Sequence, residues 1–104
     1  MSSKTKSETI VKIKPRDDVE PPKMFKVIYL NDEVTTMEFV VQTLLDVFNY
    51  EFEDAAKAVN VIHEQGAAVI AVLPFELAEH KGVEVTVLAR ANGFPLQVKV
   101  EPED

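Results

Sequence analysis

Hydrogen-bond acceptors are concentrated in one short segment of the sequence. Two carboxylates, an amide and two hydroxyls lie within six residues, after a β-rich apolar run and before an apolar pattern with helical spacing. They belong to Asn31, Asp32, Glu33, Thr35 and Thr36. A connection between a strand and a helix needs only a turn and a helix cap, so the surplus could bind a ligand that donates hydrogen bonds.

A second set of residues could form an apolar pocket beside these acceptors. Its members are Met37 and Val40 on one predicted helix, and Val59, Ile62 and His63 on the next. Each group has a spacing of three or four residues, which places its members on one face of a helix. If the preceding strand lies beside both helices, its C-terminal end brings the acceptors to the rim of this pocket.

Each of these residues also has an ordinary structural interpretation. Asn31 and Asp32 could form an Asx turn or help to cap a helix, which is the common use of such residues in connections. The apolar residues could simply be core, and a single histidine on an apolar stripe is more often structural than a ligand. Composition and periodicity alone favour the structural interpretation.

Residues that catalyse bond chemistry are scarce. All three serines lie within the first seven residues, cysteine is absent and there are only two histidines, His63 and His80. Three glycines are too few for a phosphate-binding loop, and the histidine spacing matches no metal motif. We therefore expect neither an enzyme nor a cofactor or metal site.

The charge distribution excludes nucleic acid as a partner. The net charge is −7, and residues 21–104 carry six basic and fourteen acidic residues. Such a surface repels phosphate backbones and attracts cationic ligands. No run of 18 apolar residues could span a bilayer, and the first twenty residues lack the apolar centre of a signal peptide. The expected location is the cytoplasm.

The hydrophobic pattern predicts one α+β domain with the order β-α-α-β-α-β. Thr35 and Glu38 are a possible capping box for the first helix, Gly66 is the expected C-terminal cap of the second, and Gly82 lowers the helix propensity of the third. The predicted strands are 24–30, 67–73 and 96–101. The first helix is predicted from about Thr36 to Phe48, the second carries the apolar stripe from Phe52 to His63, and the third follows Pro74 and ends near Gly93. The run 67–73 is apolar throughout, which suits a buried central strand of a three-stranded antiparallel sheet. Helices on one face of that sheet would give a two-layer sandwich.

Residues 1–22 differ from the rest of the chain. They are polar, contain no aromatic residue and end in Pro21 and Pro22. This composition buries too little apolar surface to offset the entropy of ordering. We therefore expect a flexible N-terminal arm of residues 1–22, followed by a folded domain of residues 23–104.

Four segments of the sequence match a known family pattern. They are Lys26–Val40 (KVIYLNDEVTTMEFV), Val61–Gly66 (VIHEQG), Phe75–Lys81 (FELAEHK) and Phe94–Val98 (FPLQV). Together they resemble the ClpS family of adaptor proteins over about residues 22–101. The resemblance implies a fold similar to the C-terminal domain of the ribosomal stalk protein. It also implies a monomer that binds proteins beginning with Leu, Phe, Tyr or Trp and delivers them to a AAA+ unfoldase of the ClpA or ClpC type.

The resemblance also implies a role for each site residue. The α-amino group of the substrate would be bound by Asn31, Asp32 and His63. The side-chain pocket would comprise Met37, Val40, Val59, Ile62 and Leu96, and its rim Glu33, Val34 and Thr35. The unfoldase would contact Glu76, Glu79 and Lys81, and residues 1–22 would engage its pore. Met37, in the family's gatekeeper position, would exclude side chains branched at the β carbon.

This sequence departs from the family pattern at a few positions near the pocket. Val34, Thr35 and Thr36 stand where an aromatic residue and then Thr-Pro are usual, and Val59 where methionine is common. These differences leave a second hypothesis open, in which the domain docks on an unfoldase and modulates it without recognising N-terminal residues.

Overall fold

A three-stranded antiparallel sheet forms one layer of the molecule. The computed structural model describes residues 20–104. Its strands are β1 (Met24–Leu30), β2 (Ala67–Pro74) and β3 (Gln97–Pro102), and their order in the sheet is β2-β1-β3. In β1, Val27 and Tyr29 are completely buried, whereas Lys26 and Ile28 are only partly buried. Since successive side chains of a strand point to opposite faces, one face of the sheet is covered and the other is open.

The central position in the sheet belongs to β1, and the prediction of a central strand at 67–73 was wrong. β2 pairs only with β1, and its Val69 and Val72 are 50% and 37% exposed. A continuous apolar run indicates apolar residues on both faces of a strand. It carries no information about whether a partner strand lies along each edge.

Three helices form the second layer. They are α1 (Met37–Phe48), α2 (Phe52–Gln65) and α3 (Phe75–Ala91). α1 ends at Asn49 and α2 at Gly66, both in the left-handed conformation, with φ of 59° and 88°. Asparagine and glycine adopt this conformation at the lowest cost, which is why these residues end helices. The predicted α+β fold with the order β-α-α-β-α-β is therefore confirmed.

The N-cap of α1 is Thr36, so the prediction of Thr35 as the capping residue was wrong. The Thr36 hydroxyl accepts a hydrogen bond from the backbone N–H of Phe39, at 3.1 Å. Two consecutive threonines both fit the sequence pattern of an N-cap, and the choice between them depends on what else each hydroxyl contacts. The contacts of Thr35 belong to the site described below.

Gly82 lies inside α3 without interrupting it. The residue is buried, and a Cβ atom built on it would lie 3.5 Å from Val100 and 3.6 Å from Val98 of β3. α3 therefore passes close to the edge strand at this point. These distances are ordinary van der Waals contacts, so a methyl group would fit there without displacing the strand.

The core lies between the two layers and draws on every helix. Its largest fully buried side chains are Tyr29, Leu44, Leu96, Val27 and Val85. Within residues 20–104, none of the helices combines the length and the hydropathy needed to cross a bilayer.

We expect Gly82→Ala to stabilise the domain. Alanine has a helix propensity about 0.5–1 kcal/mol better than that of glycine, and the extra methyl group meets only ordinary contacts. Urea titration should show an increase of this size in the free energy of unfolding. Gly66→Ala is the matched control, because a positive φ strains alanine, and this variant should be less stable than the wild type. A destabilised Gly82→Ala variant would show that α3 packs more tightly on β3 than the distances indicate.

Candidate functional site

A cavity of about 380 Å³ opens between the C-terminal end of β1 and the helices α1 and α2. Nine residues line it: Asn31, Asp32, Glu33, Thr35, Met37, Val40, Val59, Ile62 and His63. The sequence singled out all nine. Spacing placed Met37 with Val40, and Val59 with Ile62 and His63, on two helical faces. The structure brings these two faces together around the cavity, because α1 and α2 pack against each other.

The wall of the cavity is apolar and its mouth is exposed. Val40, Val59 and Ile62 are 7%, 7% and 5% exposed, so most of their surface is already packed in the core. Met37, in the first turn of α1, is 55% exposed. The cavity therefore has a fixed apolar base, and one long, flexible side chain at its entrance.

The polar groups sit where β1 and α2 end. The backbone N–H of Asn31 donates to the carbonyl of Gly66, at 2.9 Å, which joins the end of β1 to the end of α2. His63 lies three residues before Gly66, in the last turn of α2, and both its side chain and that of Asn31 are exposed. The pairing of β1 with β2, continued by this hydrogen bond, thus brings an amide and an imidazole to the mouth of the cavity.

The carboxylate of Asp32 holds the connection between β1 and α1. Its Oδ1 accepts hydrogen bonds from the backbone N–H groups of Val34 and Thr35, at 2.8 and 2.7 Å. Its Oδ2 accepts one from the hydroxyl of Thr35, at 2.8 Å. A carboxylate has about four acceptor positions, so Oδ2 keeps capacity for a further donor.

The surroundings of Asp32 favour its ionised form. Partial burial alone would raise the pKa of Asp32, but the hydrogen bonds from Thr35 and Val34 and the charge of Arg90 together lower it below its ordinary value. A carboxylate at neutral pH therefore stands at the rim of an apolar cavity. Such a group suits a ligand that carries a positive charge and hydrogen-bond donors next to an apolar side chain.

A buried hydrogen-bond chain fixes the position of the cavity wall. The hydroxyl of Thr43 donates to the carbonyl of Val40, at 2.8 Å, and lies 2.7 Å from the hydroxyl of Tyr29. Because the only proton of the Thr43 hydroxyl is used for Val40, the Tyr29 hydroxyl is the donor to Thr43. Burial raises the pKa of Tyr29 well above its ordinary value, so the phenol keeps this proton.

Comparison with known proteins gives the family. Residues 20–99 match the family described as ATP-dependent Clp protease adaptor protein ClpS. The chain is 41% identical over 96 residues to the ClpS adaptor of Acetivibrio thermocellus, covering 92% of this chain and 97% of that protein. It is 43% identical over 86 residues to the one from Clostridium acetobutylicum, covering 83% and 85%.

This chain belongs to the ClpS family. A solved structure, that of Agrobacterium tumefaciens ClpS2 bound to L-phenylalaninamide, agrees in fold, with a TM-score of 0.78 and 38% identity. The similarity covers 80% of this chain and all of that one. The family and both of these relatives are described as adaptors of the ATP-dependent Clp protease.

The cavity lining omits two residues that the sequence assigned to the pocket and its rim. Leu96 is 1% exposed and belongs to the core, and it is not among the residues that line the cavity. Val34 is 59% exposed and also lies outside the lining. The remaining residues assigned to the α-amino group, the pocket and the rim all lie at one cavity, although their roles stay predictions.

The residues assigned to the unfoldase contact lie on the first two turns of α3. Glu76 and Glu79 are exposed. Lys81 is partly buried, and its Nζ donates to the carbonyl of Val47, at 2.9 Å, while lying 5.7 Å from the centre of the Phe48 ring. Lys81 thus connects α3 to the end of α1. The sequence pattern of α3 did not predict this structural contact.

Arg90 is a supporting residue that the sequence analysis did not single out. Its guanidinium donates to the carbonyls of Phe94 and Leu96, at 3.0 and 2.9 Å, and its charge also lowers the pKa of Asp32. A basic residue in the last turn of a helix is a signal that could have found it. In the part of the chain that the structure describes, no group of three or more His, Asp or Glu side chains could hold a metal ion.

We expect Asp32→Asn to lower the free energy of unfolding by about 1 kcal/mol at neutral pH, because hydrogen bonds to a charged acceptor are roughly twice as strong as neutral ones. The lowered pKa fixes the pH dependence. The charge stabilises the folded state above the unfolded pKa of about 3.9. This contribution is lost as the pH falls through the lower folded value.

Urea titrations between pH 7 and pH 2 should therefore show the wild type and Asp32→Asn converging in acid. Asp46→Asn removes the same charge from an exposed position of α1 and should change stability by less than about 0.5 kcal/mol. A difference between the wild type and Asp32→Asn that stayed constant over this range would contradict the role of the charge.

The Tyr29–Thr43 pair should show coupled effects on stability. Thr43→Val leaves the buried Tyr29 hydroxyl without its acceptor and should cost about 1–3 kcal/mol. In the double variant with Tyr29→Phe that orphaned hydroxyl is gone, so the double variant should lose less than the sum of the two single losses. Additive losses in denaturant unfolding would mean that the two hydroxyls do not depend on each other.

Proposed function

We propose that this ClpS chain binds the N-terminal residue of substrate proteins in the cavity between β1, α1 and α2. It then delivers these substrates, in the cytoplasm, to a AAA+ unfoldase of the ClpA or ClpC type. The observation that carries the proposal is a single cavity with an apolar base and with amide, carboxylate and imidazole acceptors at its mouth. The polar mouth matches the α-amino group of an N-terminal residue, and the apolar base matches its side chain.

The polar rim suits the α-amino group. An N-terminal ammonium has three hydrogen-bond donors and no acceptor. The amide oxygen of Asn31, Oδ2 of Asp32 and a nitrogen of neutral His63 would supply three acceptors. The same side chain inside a polypeptide lacks the ammonium, and the acceptors would then lose their partner. The rim would therefore distinguish an N-terminal residue from an internal one.

The apolar base suits a large side chain without branching at the β carbon. Val40, Val59 and Ile62 offer an apolar surface, and burying a Leu or Phe side chain contributes about 1.5–3 kcal/mol. Met37 would crowd a β-branched residue at the entrance. The ligand of the Agrobacterium tumefaciens relative, L-phenylalaninamide, combines a free α-amino group with a large apolar side chain. It therefore has both features that the cavity here would bind.

Delivery requires a second surface. Glu76 and Glu79 on α3 are exposed and would contact the unfoldase, with Lys81 beside them. The arm of residues 1–22 would engage the unfoldase pore, and residues 1–19 of it lie outside the described part of the chain. In this role the protein is a monomeric adaptor, and bond cleavage belongs to the partner protease rather than to this chain.

Peptides that differ only at their first residue test the recognition. We expect a Leu-first peptide to bind at least about tenfold more tightly than its N-acetylated form, because acetylation removes the charge and two of the donors. An Ile-first peptide should be weakened to a similar degree by contact with Met37. Fluorescence anisotropy with labelled peptides measures all three. Equal affinities for the three peptides would contradict the proposal and favour the second hypothesis, in which the domain docks on an unfoldase without recognising N-terminal residues.

Two histidines offer a matched pair of variants. We expect His63→Ala to weaken binding of the Leu-first peptide at least about tenfold, since one acceptor of the charged ammonium is lost. His80→Ala removes another exposed imidazole, from α3 and outside the cavity, and should keep the wild-type affinity. Circular dichroism should show both variants folded. If both variants bind as the wild type does, His63 has no part in recognition.

A further inference from the structure

Met37 lines two neighbouring cavities. One is the cavity proposed to bind the N-terminal residue, and the other is a groove of about 400 Å³ along the next face of α1. The groove is lined by Met37, Glu38, Val41, Gln42, Leu45 and Phe52. A chain that leaves the first cavity over Met37 would therefore enter this groove directly.

The groove is apolar at both ends and along its base. Val41 and Leu45 are half-buried against the core, while Met37 and Phe52 are 55% and 66% exposed. Phe52 is more exposed than any other large apolar residue in the described part of the chain. It is the first residue of α2, where starting a helix requires no aromatic side chain. Together with Met37 it makes the groove an exposed apolar patch, and such a patch is characteristic of a surface that binds a partner.

The dimensions of the groove match an extended peptide. Met37 and Leu45 are eight residues apart on α1, which corresponds to about 12 Å along the helix axis. An extended chain advances about 3.3 Å per residue, and its side chains alternate between two faces. The first and third side chains therefore point to the same face, about 7 Å apart. Val41 follows Met37 by one helical turn, about 6 Å along the axis. A peptide that has its first side chain in the cavity and runs along α1 from Met37 towards Leu45 would therefore place its third side chain near Val41.

We propose that this groove binds the side chain of the third residue of the same substrate and that it favours an apolar residue there. The proposal rests on the proposed function, because the first residue must already occupy the cavity. Glu38 at the edge of the groove would repel an acidic third residue. The side chain of the second residue, which points to the opposite face, would contribute little to the affinity. The preferred substrate would thus be defined by its first and third residues together.

Short labelled peptides with leucine first test the position. One peptide has alanine at the second and third positions, one has leucine at the second and one has leucine at the third. We expect leucine at the third position to tighten binding about three- to tenfold relative to alanine, and leucine at the second to change it less than about twofold. Equal affinity for alanine and leucine at the third position would overturn the proposal.

Phe52→Ala and Val61→Ala test the surface. Both remove an exposed apolar side chain from α2, but only Phe52 lines the groove. The ratio of affinities for leucine and alanine at the third position should fall towards one in Phe52→Ala and persist in Val61→Ala. A ratio that persists in Phe52→Ala contradicts the proposal. If that ratio persists and sedimentation also shows that Phe52→Ala has lost self-association, the groove binds a second copy of the chain, and the proposal is again contradicted.

The Leu-first peptide with alanine at the second and third positions, together with its N-acetylated form, separates this inference from the proposed function. If acetylation abolishes binding but the third position has no effect, the proposed function holds and the groove does not bind substrate. If the free and acetylated peptides bind equally, recognition of the N-terminus fails, and the inference about the third residue fails with it.

Discussion

The structure depends on a hydrogen bond from the Tyr29 hydroxyl to Thr43, which in turn donates to the carbonyl of Val40. Tyr29 is on the central strand and is completely buried, so its hydroxyl must find a partner inside the protein. The partner lies on α1, two turns from the start of that helix. This pair fixes the position of α1 on the sheet, and Val40, one turn before Thr43, forms part of the cavity wall as a consequence.

The same strand also places the polar rim. Two residues after Tyr29 the strand has ended, and Asn31 is held by its backbone hydrogen bond to Gly66 at the end of α2. The site therefore forms where β1 ends, α1 begins and α2 ends, and each of these ends is fixed by its own hydrogen bonds or cap. Side chains presented by such fixed ends need little reorganisation when a ligand arrives, which lowers the cost of binding.

Spacing predicted the fold order and grouped the helical residues of the cavity, whereas the family resemblance was needed to assign those residues to a binding site and to add the rim. Met37 with Val40, and Val59 with Ile62 and His63, identify two helical faces, and two such faces meet when their helices pack on one sheet. Spacing does not show how deeply a residue is buried. Leu96 has the residue type and the location of a pocket residue, yet it is covered on all sides, and the edge position of β2 depends on pairing that an apolar run does not encode.

Asp32 shows why the structural and functional interpretations of a connecting segment need not exclude each other. From the sequence alone, an Asx turn and a ligand contact are alternative roles for Asp32, and Thr35 is the expected helix cap. Instead, Thr36 caps α1, and Thr35 donates two hydrogen bonds to Asp32, which keep the carboxylate ionised and oriented. The turn and the proposed ammonium contact use different acceptor positions of one carboxylate. A residue that already holds the connection can therefore offer a charge at a fixed point, at no further entropic cost to the chain.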